Sequence, residues 1–235
     1  FTDLFRTQLY DVVINATGAA NVQFSFTYPH VDYVLNTANV YAILEAIRLY
    51  NPQSTFINLS SAAVYGNPTQ LPIKETDAVK PLSPYGYHKH YSEQICKEYH
   101  DLFNIKTISL RIFSAYGEGL KKQLFWDLFN KAKAATTHIE MFGTGNETRD
   151  FIYVKDLVYA IECVMKNNYF TGGTINIASG TESSIREAVT AFLKAYNPTL
   201  EVRFSGNNKK GDPLNWRADI STLESLGFLA QYSLK

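Results

Sequence analysis

Short apolar runs of strand length alternate with longer runs of helical period along most of this 235-residue chain. That alternation leaves few architectures open. Strands separated by helices pair in parallel, and the helices cover both faces of the sheet. Strands are read at 12–14, 55–59, 106–110, 138–141, 174–177 and 201–204. Helices are read at 31–49, 84–103, 123–135, 154–165 and 185–196. In the first of these, Val34, Ala38, Tyr41, Ala42, Ala46 and Leu49 recur at helical spacing and are read as the core-facing stripe. Asn51-Pro52 ends that helix, and Pro84 suits the first turn of the next. Residues 67–84 carry Pro68, Pro72, Pro81 and Pro84 and read as a loop that crosses over a site. The expected fold is α/β, a doubly wound parallel sheet with a smaller, interleaved C-terminal lobe. Residues 1–116 make the sheet and 117–235 mainly the lobe.

Charge and composition exclude several classes of function. Formal net charge is zero, which offers no electrostatic footprint for nucleic acid or an anionic membrane. No apolar run approaches the ~20 residues of a membrane span. No signal-type segment opens the chain, so a cytoplasmic protein is expected. Cys96 and Cys163 make neither a disulfide framework nor a metal-ligand spacing. His88 and His90 stand two apart on a helix and do not face each other, so no metal is expected.

Chemistry enters with three residues. Ser61 ends a strand-like run, Tyr85 opens a helix 24 residues later, and Lys89 lies four residues beyond Tyr85. Residues four apart share a helix face, so the ammonium can lie beside the phenol. A phenol with a pKa near 10 is a poor base at neutral pH, and a nearby cation favours its ionised form. A drop of about three units corresponds to roughly 4 kcal/mol and makes Tyr85 a working acid/base. With 16 tyrosines present, a Tyr-x-x-x-Lys pair alone carries little weight. The preceding serine and its strand give it meaning.

Other segments stand in a consistent order around these three. They are Val12-Val13-Ile14-Asn15-Ala16-Thr17-Gly18, Asn36 with Leu44-Glu45-Ala46, and Ser61-Ala62-Ala63-Val64-Tyr65-Gly66. Further on come Leu110-Arg111-Ile112-Phe113-Ser114-Ala115-Tyr116-Gly117, Phe142-Gly143-Thr144-Gly145, the run from Arg149 to Asp156, Gly211-Asp212 and Ala218-Asp219. With these the chain resembles the extended short-chain dehydrogenase/reductases, in their nucleotide-sugar epimerase/dehydratase branch, of the UDP-glucose 4-epimerase type.

The resemblance implies NAD as cofactor, with NADP not excluded, against Ala16, Thr17, Gly18, Asn36, Tyr85, Lys89 and Ile112. It implies Ser61, Tyr85 and Lys89 as the catalytic set. A nucleotide-diphosphate sugar would meet Ser61, Ala62, Ser114, Gln123, Arg149, Lys209 and Asp212. Arg149 falls where the family grips the diphosphate, which suits a guanidinium fork. Phe125, Trp126 and Phe129 are placed to flank the base or to pack the core. Dehydratases of the family carry an Asp-Glu pair after the serine or threonine. Here Ala62 and Ala63 can neither give nor take a proton. That leaves 4-epimerisation, with 4-keto reduction or a non-catalytic binding role as alternatives. A homodimer through helices 31–49 and 84–103 is implied, with no nucleic-acid or membrane partner. The family's first three strands and Gly-rich turn have no counterpart in this sequence. Gly143-Thr144-Gly145 is expected to lack a strand before it and a helix after it, so the chain as written is expected to bind NAD poorly.

Overall fold

The structure, a computed structural model, describes residues 1–207 and 211–234. Helix α1 (Thr2–Thr7) leads into β1 (Val12–Asn15), α2 (Val22–Thr27) and α3 (Pro29–Tyr33). A π turn, Val34–Ala38, joins α3 to α4 (Asn39–Tyr50). Strand β2 (Thr55–Ser61) passes through a 3₁₀ turn, Ala62–Val64, and the Pro-rich loop to α5 (Pro84–Phe103). Next come β3 (Lys106–Ile112), β4 (Ser114–Tyr116), α6 (Gln123–Ala134), β5 (His138–Met141), β6 (Thr148–Tyr153) and α7 (Val154–Lys166). The remainder is β7 (Thr174–Ile177), β8 (Glu182–Ser184), α8 (Ile185–Tyr196), β9 (Glu201–Phe204) and α9 (Ser221–Ser225). No helix among the described residues is long and apolar enough to cross a membrane.

The main sheet has the order β1-β2-β3-β7, and every pairing in it is parallel. Strand side chains alternate between faces, and the burial shows where each goes. Phe56 packs with Phe5, Leu44, Ile47 and Tyr99 from α1, α4 and α5. Its neighbour Ile57 packs on the opposite face with Val164 and Leu223 from α7 and α9. Two helical layers on one parallel sheet are the doubly wound arrangement the alternation predicts. Strand β7 comes from beyond Tyr116, so the second half of the chain returns to complete the sheet. A separate layer holds β4, β6 and β8. The parallel pair β5 and β9 packs under α6 and α8 through Leu128, Ile139, Val189 and Leu193.

Three sequence expectations need correction. The core stripe of helix 31–49 is rotated. Val40, Ile43, Leu44 and Ile47 are buried, whereas Val34, Tyr41 and Leu49 are 37%, 50% and 52% exposed. Of the expected stripe only Ala46 is buried. This helix is apolar nearly all round, so period alone could not choose a face. Strand 12–14, read as fully buried, lies at the sheet edge with Ile14 45% exposed. The Gly143–Gly145 turn does follow a strand, β5, but leads into β6 rather than a helix. Its amides are occupied: Thr144 N–H and Gly145 N–H both donate to the Glu147 carboxylate at 2.9 Å.

Candidate active site

Ser61 is the last residue of β2 and stands beside Ile112, the last of β3. Carboxyl ends of parallel strands open onto the crevice where α/β sheets place their chemistry. The Ser61 hydroxyl accepts from Ala63 N–H at 3.2 Å and so starts the 3₁₀ turn. Helix α5 begins where it does for local reasons. The Ser83 hydroxyl accepts from Gly86 N–H at 3.2 Å, and Pro84 has no N–H to leave unsatisfied. Tyr85 therefore occupies the first turn and comes near enough to Ser61 for the serine hydroxyl to act on the phenol. Gly86 permits this approach, because a Cβ there would stand 2.7 Å from the Ala63 carbonyl oxygen and 2.9 Å from Pro81 Cβ. One turn on, Lys89 Nζ donates to the Leu59 carbonyl at 2.7 Å and lies 6.0 Å from the Tyr85 ring centroid.

The electrostatics reverse the expected direction for the phenol. Burial pushes Tyr85 up to about 12, against a lowering hydrogen bond from Ser61 and with a further rise from the Asp32 charge. Burial pulls Lys89 down to about 8, opposed by Asp32 and Glu93. The ammonium is turned toward a backbone carbonyl, so it does not pull the phenol down.

Ser61 and Tyr85, but not Lys89, line a cavity of about 480 Å³. Ala63, Ile112 and Ser114 line it too. So do Gln123, Arg149 and Asp212, together with Trp216 and Phe142, which sequence reasoning did not select. Ala62 does not line it. The 3₁₀ turn points Ala62 inward, fully buried beside Phe113 and Ala218, and Ala63 takes the cavity face. Lys209 lies outside the described residues. Arg149 Nη1 donates to the carbonyls of Thr148 and Leu214 at 2.7 and 3.2 Å, and its guanidinium lies 5.6 Å from the Trp216 ring centroid. Burial lowers its pKa, while Asp212 and Glu147 act to raise it. Phe125 and Trp126 also line the cavity, whereas Phe129 packs against Trp126 and Tyr196.

On the far side of Tyr85, the segment after β1 forms a cradle. A Cβ on Gly18 would collide with Asn36 Oδ1 and stand 2.9 Å from Lys89 Nζ. Asn36 is buried; its Nδ2 donates to the Ala19 carbonyl at 3.2 Å, and its Oδ1 has no partner among the described residues. Thr17 turns back, its hydroxyl donating to Asn15 Oδ1 at 2.8 Å, and Ala16 is exposed. A backbone position without a side chain, beside an unsatisfied amide oxygen and a lysine, fits the nicotinamide end of a dinucleotide. His88 Nδ1 and Asp32 Oδ2 are 2.6 Å apart, and His90 Nδ1 lies 3.4 Å from Glu93, so the two histidines serve separate carboxylates. No group of ligating side chains among the described residues is arranged to hold a metal ion.

Comparison with known proteins adds an independent line. The chain is 32% identical over 237 aligned residues to a putative UDP-glucose 4-epimerase of Methanocaldococcus jannaschii, covering 96% of this chain and 73% of that protein. It is 30% identical to an uncharacterised UDP-glucose epimerase of Bacillus subtilis, covering 92% of this chain and 68% of that one. Among solved structures it superposes on a UDP-glucuronic acid 4-epimerase from Bacillus cereus, in complex with UDP-glucuronic acid and NAD. That match has a TM-score of 0.89 at 27% identity, covering 99% of this chain and 74% of the other. A model of the NAD dependent epimerase/dehydratase family matches residues 1–178, and the chain belongs to that family.

Proposed function

We propose that this protein interconverts the C4 epimers of a nucleotide-activated sugar, through a transient 4-keto sugar. The observation that carries the reading is the meeting of Ser61 and Tyr85 in the lining of one cavity, with Lys89 one turn behind. Tyr85 would take the proton of the sugar's 4-hydroxyl from its phenolate form, reached once bound ligands change the field around the buried phenol, and Ser61 would hold that hydroxyl in line. NAD, when bound, supplies the hydride acceptor and donor. Gly18, Asn36 and Lys89 would hold its nicotinamide end, and Ile112 would pass beside it. Ala62 and Ala63 put no carboxyl next to Ser61, which removes the group a dehydration would need. Arg149 would grip the diphosphate with Gln123, Ser114 and Asp212 nearby, and residues 117–235 would form most of the nucleotide-sugar lobe. Similar proteins carrying 4-epimerase names, one solved with a UDP-sugar and NAD, support this reading.

The same reading includes a homodimer. Val31, Val34 and Tyr41 on the α3–α4 run are 44%, 37% and 50% exposed, and Tyr87 and Tyr91 on α5 are 47% and 46% exposed. Two adjacent helices with an apolar outer face suit a two-fold, self-complementary contact.

The deciding experiment incubates the whole protein with UDP-galactose or UDP-glucuronic acid and catalytic NAD, and follows the C4 configuration by proton NMR. Epimer formation without net change in NAD is expected. Consumption of NAD(P)H in step with product would replace epimerisation by reduction. No turnover of any nucleotide sugar would overturn the reading.

A further inference from the structure

Beside the site lies a buried carboxylate–imidazole contact that the proposed chemistry does not use. Asp32, on α3, is fully buried. One carboxylate oxygen meets His88 Nδ1 at 2.6 Å, and the other, Oδ1, has no partner among the described residues. A buried polar atom left unpaired costs about 1–3 kcal/mol, more for a charged group. An apolar residue would avoid that cost. Groups that break such a rule concentrate where function needs them.

What surrounds the pair says what the charge is for. His88 lies three residues beyond Tyr85 and one before Lys89 on α5, so Asp32 is docked onto the stretch of helix that carries both reactive groups. The Thr37 hydroxyl donates to the His88 carbonyl at 2.9 Å and fixes the π turn to the same point. Asp32 acts on both groups: its charge favours the Lys89 ammonium and disfavours the Tyr85 phenolate. The other ionisable groups facing this assembly are Tyr33 on α3, Tyr91, Glu93 and Cys96 on α5, and Lys122 at the cavity. Helix α2, which packs against α3 and α5, carries no ionisable side chain.

We infer that Asp32, held by His88, is a positioning residue that keeps the resting site in its phenol–ammonium state. The inference rests on Tyr85 and Lys89 being the reactive pair. The carboxylate offsets the burial of Lys89, so that a cation stays beside the phenol near neutral pH. It also holds the proton on Tyr85 until ligands change the field. His88 supplies the hydrogen bond that, among the described residues, fixes the carboxylate's direction.

The test needs no substrate. The whole protein, labelled with ¹³C at lysine Cε, is titrated by NMR, and Lys89 is assigned by its loss in Lys89→Met. In Asp32→Asn the Lys89 midpoint is expected to fall by about half a unit or more. Asp32→Leu, a second neutral variant, is expected to do the same should the amide not fold, and Asp32→Glu to restore the midpoint. An unchanged midpoint in whichever neutral variant folds overturns the inference, whatever the outcome of the epimerase assay. In turnover, loss of this charge moves both limbs of the pH–rate profile toward acid. A merely structural role lowers the curve and leaves its limbs in place.

Discussion

Lys89 and Leu59 are joined by a 2.7 Å hydrogen bond from the side-chain ammonium to the backbone carbonyl. The bond ties the second turn of α5 to the end of β2, two residues before Ser61. It keeps a buried cation within reach of Tyr85 without aiming it at the phenol. The position of the serine and the direction of the lysine are thus set by one contact.

The buried lysine leaves a mark on stability. Its folded pKa of about 8 lies below the ordinary 10.5, so the unfolded chain binds more protons between these values. Stability contributed by this group is complete above pH 10.5 and is lost as pH falls through about 8. Urea melts of the parent and Lys89→Met at pH 7 and pH 10.5 are expected to show the parent gaining on the variant by roughly 3 kcal/mol across that window. A constant difference between the two proteins would mean that Lys89 is not depressed.

Tyr85→Phe removes the hydroxyl that carries the proton and keeps the ring. Turnover is expected to fall by at least ~10³-fold, with nucleotide-sugar affinity within a few fold of the parent. Steady-state rates together with calorimetry check both halves.

Arg149 is expected to act on binding more than on chemistry. Arg149→Gln keeps a planar donor but loses the charge and the fork. It should raise KM by about 10-fold or more and leave kcat nearly unchanged, since removal of a charge-assisted hydrogen bond costs about 1.5–3 kcal/mol. A fall in kcat with KM intact would place Arg149 at the reacting end.

Behind the site, Arg111 donates to both oxygens of Glu93, at 3.0 and 2.9 Å, and to the Tyr65 hydroxyl and the Glu75 carbonyl. Burial acts to raise the Glu93 carboxyl, but hydrogen bonds from His90, Arg111 and Ser60 and the Arg111 charge outweigh it and hold it below its ordinary value. Its contribution is present above the usual carboxylate range and is lost as pH falls through the lowered value. Glu93→Ala strands a buried guanidinium and is expected to cost about 3–5 kcal/mol in urea unfolding, whereas Glu93→Leu combined with Arg111→Met is expected to cost much less.

The exposed helical face predicts an assembly. Tyr41→Glu with Tyr91→Glu puts charge on the outer face of α4 and α5, at side chains half-exposed in the single chain. Sedimentation is expected to show a dimer for the parent and a monomer for the variant, each with unchanged circular dichroism.

Several features were legible in the sequence because local rules determine them. The β2–α5–β3 order follows from period and from Ser83-Pro84 at the helix start. Tyr85 and Lys89 share a face because a helix turns every 3.6 residues. Other features depended on what packs against what. The core side of α4 was decided by α1 and α5, since both faces of that helix are apolar. Ala62 faces inward and Ala63 outward because a 3₁₀ turn places them so. The shift of Tyr85 upward came from burial, which no spacing encodes. Trp216 reaches the cavity from the far end of the chain, its Nε1 donating to the Gly66 carbonyl at 3.0 Å. Asp32 and His88 meet across 56 positions of sequence with no motif to announce them. Spacing along a chain determines which residues share an element. Only the docking of elements decides which faces are buried, and desolvation at those buried faces is what sets the charges of this site.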